Sequence, residues 1–215
     1  KVNNLDLQAQ LGFTSHHPRW AMAYKFEARQ ATTTINDIQF QVGRVGTITP
    51  VAKLKPVNIG GATIGSVSLF NEDFIREKGI CHGDQVLVER AGDVIPYIVK
   101  VIEEARSGNE AKVKFPEQCP SCGTKLSRPE GESHWICTNI NCPAQVLERL
   151  RHYVSKSAMD IDGLGEQQLK RFYDLGLLNN IPDIYRLDYD KIRQLEGFGE
   201  KSVKNLQNAI EASKN

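Results

Sequence analysis

No stretch of these 215 residues is apolar for long enough to cross a bilayer, and no charged-then-apolar segment opens the chain. The sequence therefore predicts neither a membrane span nor an export signal. There is no excess of charge of one sign either. Lys and Arg number 27 against 26 Asp and Glu, a net charge of +1, which gives no global electrostatic sign of a polyanionic partner. Without an export signal the five cysteines are expected to stay reduced in a cytoplasm, so clustered thiols favour a metal over disulfides. The chain also lacks an initiating Met, opening on Lys-Val-Asn-Asn, and is expected to belong to a longer polypeptide.

What is present is enough chain for two or three small domains. Residues 1–60 carry seven Lys or Arg against three acids, a local hint of an anionic ligand. Residues 61–118 lean acidic. Between Trp20 and Phe26 the sequence alternates, with Trp20, Met22, Tyr24 and Phe26 on one side and Ala21, Ala23 and Lys25 on the other. That predicts a strand whose small-residue face leaves room beside Lys25, or an edge strand using lysine against aggregation. Five further strands are predicted at 33–42, 46–54, 62–70, 85–90 and 95–103, divided by Gly-containing turns, with a short helix at 72–78. One helix before the fourth of five strands suits an OB-type barrel. A polar connector at 105–118 leads to a cysteine segment and then a largely helical region. The expected architecture is multidomain α+β, divided at 1–30, 31–113, 114–143 and 144–215.

Cys119-x2-Cys122 and Cys137-x4-Cys142 are two close pairs separated by fourteen residues. Such spacing lets two short knuckles present four thiolates tetrahedrally to zinc. Pro120, Ser121 and Gly123 suit a tight first knuckle whose turn aims backbone N–H groups at sulfur. Four thiolates leave no open position, so the site reads as structural; a disulfide pair or free core cysteines is the alternative. Cys81 has no partner in the pattern, and His134 lies inside the loop as a bystander.

The helical region repeats at an offset of thirty-four, with Ile161-Asp-Gly-Leu-Gly-Glu166 over Leu195-Glu-Gly-Phe-Gly-Glu200. Leu169 then falls over Val203, Lys170 over Lys204 and Phe172 over Leu206. Each copy reads as a helix-hairpin-helix. Gly163 and Gly165, and Gly197 and Gly199, would let backbone approach a DNA phosphate, and the second helix offers free N–H groups and a positive dipole end. Such contacts hold phosphates without reading bases. An ordinary αα-hairpin whose glycines serve only the turn is the alternative. A tetratricopeptide array shares the period but not the residue pattern.

These modules, in this order, resemble the bacterial NAD-dependent DNA ligase family over essentially the whole chain. Pro18–Phe26 is similar to the last strand motif of that family's nucleotidyltransferase domain. Val42–Ala52 and Arg90–Pro96 are similar to its OB domain, and Cys119–Gly123 with Asn141–Gln145 to its zinc module. The resemblance implies that Lys1 and Lys25 are nucleotide-site lysines, where a point charge beside a phosphate stabilises charge developing during nucleotidyl transfer. It implies DNA-backbone contacts from Arg44 and Arg90. It also places Val94 and Ile95 in an apolar loop packed into the minor groove near a nick; core packing at a strand start is the alternative for that pair.

One departure stands out. Family members begin by forming a lysyl-adenylate at K-x-D-G, and these residues contain none: the one Asp-Gly pair, Asp162-Gly163, follows Asp160-Ile161. The resemblance thus implies a segment of an enzyme that seals nicks in DNA during replication and repair, supplying DNA encirclement but not the nucleophile. It implies structural zinc, and NAD and Mg2+ or Mn2+ for the parent enzyme. Expected partners are nicked double-stranded DNA and NAD, with no membrane, for a monomer in the bacterial cytoplasm acting at the nucleoid. The rival is a non-catalytic repair module built from a barrel, a zinc unit and hairpins; an RNA-associated zinc and barrel protein is a third reading.

Overall fold

A computed structural model describes residues 1–24, 28–91 and 95–214. The chain begins with a short helix, α1 (Leu5–Leu11), capped by the Asn4 side chain, which accepts from the Asp6 and Leu7 amides. The strand expected from Trp20 is absent over residues 21–24, which adopt no regular structure. Alternation produces a strand only where a sheet edge accepts it, and no described strand pairs with this stretch. Met22 and Tyr24 are instead 92% and 81% exposed. Lys25 and Phe26 lie outside the described residues.

The barrel follows. β1 (Arg29–Val42), β2 (Ile48–Ile59), β3 (Ala62–Ser68), β5 (Gln85–Ala91) and β6 (Ile95–Val101) form one antiparallel sheet in the order β3-β2-β1-β5-β6. β1 serves two partners. Its first half, Arg29–Thr34, pairs with β5, and its second half, from Ile35, pairs with β2, with a register irregularity between Ile35 and Asp37. That change of partner bends the sheet until its edge strands β3 and β6 approach within 8 Å between Cα atoms. Period-2 alternation sends Ile35, Leu54, Ile64, Val67, Val86, Val88 and Ile98 into one core. Helix α2 (Glu72–Glu77), capped by Asn71, plugs this core with Ile75.

The connector is tied down where no element is predicted. β4 (Cys81–His82) pairs with β7 (Ala111–Lys112). Nearby, Arg106 reaches the fully buried Asp84 through two hydrogen bonds of 2.7 and 2.8 Å. The helical region holds α3 (Pro143–Val154), α4 (Glu166–Asp174), α5 (Tyr189–Arg193) and α6 (Glu200–Ala212), with a 3-10 helix at Ile181–Arg186. The repeat explains its core. Leu164 and Phe198, Leu169 and Val203, and Phe172 and Leu206 occupy corresponding places in one apolar cluster, with the Phe172 and Phe198 rings 5.5 Å apart. Among the described residues no helix is long and apolar enough to cross a membrane.

Candidate metal centre and nucleic-acid interface

The four cysteine sulfurs all lie within 4.8 Å of one another. Cys119 and Cys142 are 3.8 Å apart and Cys122 and Cys137 3.5 Å. A tetrahedron with Zn–S of about 2.3 Å has S···S edges of about 3.8 Å, whereas a disulfide needs about 2.05 Å. The donor set therefore fits zinc. Three of the four cysteines are buried, and among the described residues no fifth His, Cys, Asp or Glu joins the cluster: His134 Nδ1 is 2.9 Å from Ser133 Oγ instead. Such a closed site supports structure rather than chemistry.

The knuckles show how sequence builds the site. Backbone N–H groups of Ser121 and Cys122 are directed at Cys119, that of Thr124 at Cys122, and that of Asn139 at Cys137. Burial pushes the Cys137 thiol up to about 12 and raises Cys119, while Thr124 holds Cys122 down to about 6. Loading a metal therefore displaces protons from Cys119 and Cys137, so affinity weakens as pH falls.

The zinc unit is built onto the barrel. In the β1–β2 turn, the Gly46 carbonyl accepts from the Cys137 amide at 2.9 Å, and the Ile48 amide donates to Trp135 at 2.8 Å. Gly46 is buried at φ +87°, and a Cβ there would stand 2.2 Å from the Cys137 carbonyl oxygen, so only glycine fits. The Phe115 ring stands between Phe40 of β1 and Trp135, 4.8 and 6.2 Å between centroids. From α2, Glu72 accepts from Trp135 Nε1 at 2.8 Å, and Asp73 pairs with Arg128. Gly46 lies within the Val42–Ala52 stretch that carries the resemblance, whereas the α2 acids lie in no motif.

The hairpin glycines divide into two roles. Gly163 and Gly197 take left-handed backbone, φ +89° and +84°, which turns the chain into α4 and α6. Gly165 and Gly199 are the N-cap residues of those helices, and neither helix receives a side-chain cap. All four are exposed. Lys170 pairs with Asp174 at 2.7 Å on the surface.

Of the remaining predicted site residues, those that are described lie at separate places. Lys1 is exposed, and the next residue, Val2, donates its amide to the Trp20 carbonyl at 2.8 Å. Lys25 and Val94 lie outside the described residues. Arg90, half-buried, opposes Pro96, and Ile95, 68% exposed, opposes Ala91, so both mark the turn end of the β5–β6 hairpin. Arg44 is exposed in the β1–β2 turn, at the opposite end of β1 from Arg29, the partner of Arg90.

Three family models match in chain order: the NAD-dependent DNA ligase adenylation domain at 1–29, the NAD-dependent DNA ligase OB-fold domain at 32–110, and the NAD-dependent DNA ligase C4 zinc finger domain at 118–144. Together they account for more than half of the chain. Proteins named DNA ligase match along its whole length. Those of Sulfurihydrogenibium azorense and Persephonella marina are 67% and 66% identical over 215 residues, and that of Aquifex aeolicus 57%. All of this chain is covered, but only 31%, 30% and 30% of those proteins. By its domain matches and these relatives, the chain belongs to the NAD-dependent DNA ligase family, as a segment that carries the OB-fold and C4 zinc finger domains.

Proposed function

We propose that this chain is the DNA-holding portion of an NAD-dependent DNA ligase, gripping duplex DNA at a nick. The observation that carries this reading is a contrast in how its helices begin. α1, α2, α5 and the 3-10 helix at Ile181–Arg186 are capped by Asn4, Asn71, Asp188 and Asn180, whose side chains accept the first amides. α3 starts at Cys142 and Pro143, also without a side-chain cap, but within the buried zinc joint; α4 and α6 start at the bare, exposed glycines Gly165 and Gly199. A capping side chain would occupy the place of an anion; glycine leaves those amides to a phosphate. The 34-residue repeat supplies two such ends on one core, suited to two backbone positions of a duplex.

In this reading the functional units are 1–30, 31–113, 114–143 and 144–215. Arg44 and Arg90 contact the DNA backbone, and Val94 with Ile95 meets the minor groove; the exposure of Ile95 supports a ligand contact over core packing. Cys119, Cys122, Cys137 and Cys142 hold the zinc. Lys1 and Lys25 serve the nucleotide site of the full enzyme, to which NAD brings the adenylyl group and Mg2+ or Mn2+ brings charge stabilisation. The full enzyme acts as a monomer in the cytoplasm, at the nucleoid.

The test uses the zinc-loaded 215-residue chain with fluorescent nicked, intact and single-stranded DNA. Binding of nicked duplex in preference to single strands is expected, with affinity falling steeply as salt rises. Incubation with labelled NAD, followed by a denaturing gel, should give no covalent AMP band, because no K-x-D-G is present. Failure to bind nicked duplex, or an AMP band, overturns the reading.

A further inference from the structure

The strongest unexplained group in the described structure is a buried amide at the junction of all three folded parts. Gln145 stands in the first turn of α3 and is 3% exposed. Its Nε2 donates to the carbonyls of Cys137 at 2.8 Å and Asn139 at 3.0 Å, closing the second zinc knuckle onto the helix. The same nitrogen lies 2.9 Å from where a Gly46 Cβ would be, so barrel turn, knuckle and helix meet at one point. A buried polar side chain is retained at such a point only if its hydrogen bonds are satisfied, and here both amide protons are used.

We infer that Gln145 is a positioning residue, which sets the direction in which the hairpins leave the barrel. The mechanical reason lies in α3. Its first turn belongs to the zinc joint, while Leu150 and Val154 belong to the hairpin core. Cys142, the N-cap of α3, joins the helix to the metal centre, and at the surface the Ala144 amide donates to Ser121 Oγ at 3.2 Å and Arg149 to the Ile140 carbonyl at 2.5 Å. Those two bonds are open to water, which competes for the same groups. The Gln145 pair, to the Cys137 and Asn139 carbonyls, is the one shielded from water, and so the firmest constraint on the helix axis. Gly46 completes the joint from the barrel side, since its carbonyl holds the Cys137 amide and its missing side chain lets the peptides meet. The metal therefore folds the knuckles, and the amide aims the helix.

The consequence for DNA rests on the function proposed above: a fixed hairpin direction holds the two glycine ends and the barrel loops ready for one duplex. The aiming role itself is read without DNA. Backbone residual dipolar couplings of the zinc-loaded chain in one alignment medium should fit a single tensor across barrel strands and α4–α6. Gln145→Leu keeps the volume and removes both donors. It should retain one zinc per chain and both sets of native resonances, while barrel and hairpins require different tensors and nicked-duplex affinity falls about tenfold. Gly46→Ala, which drives a carbon against the Cys137 carbonyl, should also separate the tensors. Two tensors in the unmodified chain overturn the inference, as does one tensor in Gln145→Leu. Loss of zinc or of either folded unit in both variants also overturns it, by making these residues part of the fold rather than of its aim. If the unmodified chain does not bind nicked DNA, the proposed function fails while the tensor comparison still decides the role of Gln145.

Discussion

Replacing Gly199 with aspartate is expected to move stability and DNA affinity in opposite directions. Gly199 caps α6 in extended backbone, φ −87° and ψ 175°, and a Cβ built there meets nothing within 4 Å. Aspartate fits this conformation, accepts from an amide of the first turn, and places a negative charge at the positive end of the helix. The cap gains a few tenths of a kcal/mol over glycine, and the unfolded chain loses freedom worth about 0.4–1 kcal/mol. A net gain of about 0.6–1.4 kcal/mol should slow amide exchange in α6 about three- to tenfold where exchange follows opening of the hairpins. A phosphate arriving at the same amides meets a like charge. At about 4 Å that repulsion is ~1 kcal/mol in bulk water and ~4 kcal/mol at an effective dielectric constant near 20. Nicked-duplex affinity should therefore fall about 10- to 100-fold, read by fluorescence anisotropy at one stated salt concentration. Gly165→Asp applies the same perturbation to the other copy. Slower exchange with unchanged affinity would refute the phosphate role, and a loss of both would show that the glycine serves only the fold.

Cys137→Ser should abolish binding of one zinc per chain, measured by metal analysis, loosen the hairpins from the barrel, and weaken nick binding at least tenfold; unchanged affinity in a folded, zinc-free variant would show the joint to be dispensable. Arg106→Ala should lower stability to urea by about 3 kcal/mol, the cost of leaving the buried Asp84 carboxylate without its cation. Adding Asp84→Asn is expected to recover part of that loss, and a double variant no more stable than the single one would show that the buried charge is not its source.

The barrel was legible because its strands alternate at period 2 and its turns carry glycine; the predicted spans at 33–42, 62–70 and 85–90 fall within two or so residues of β1, β3 and β5 except at the start of β1. β1 runs back to Arg29 because its first half has a second partner, β5, which local pattern does not reveal. The cysteine cluster was legible from spacing alone, since two close pairs of thiols at this separation have few uses other than to hold one metal ion. The expected strand from Trp20 failed for the reason period-2 patterns often do, that alternation specifies faces but not a pairing edge. β4 and β7 are too short to show any period. Gly46 and Gln145 lie inside Val42–Ala52 and Asn141–Gln145, stretches that carry the family resemblance, but their roles do not show there, and Glu72 and Trp135 lie in no motif. Their meaning is set by tertiary partners: Gly46 with Cys137, Gln145 with the Cys137 and Asn139 carbonyls, Glu72 with Trp135 and Arg128.

The turn at Gly46 also orders events in time. Synthesis completes the last barrel strand, β6, at Val101, before the first knuckle cysteine, Cys119, is made. In a chain that folds as it is made, the Gly46 carbonyl and Phe40 of β1 would be in place before Cys137 and Phe115 reach them. The metal unit would then be moulded against an existing surface rather than folded free and docked afterwards. An early-capturing cation would find only Cys119 and Cys122, half a site, and would be held loosely until the second knuckle closed over it.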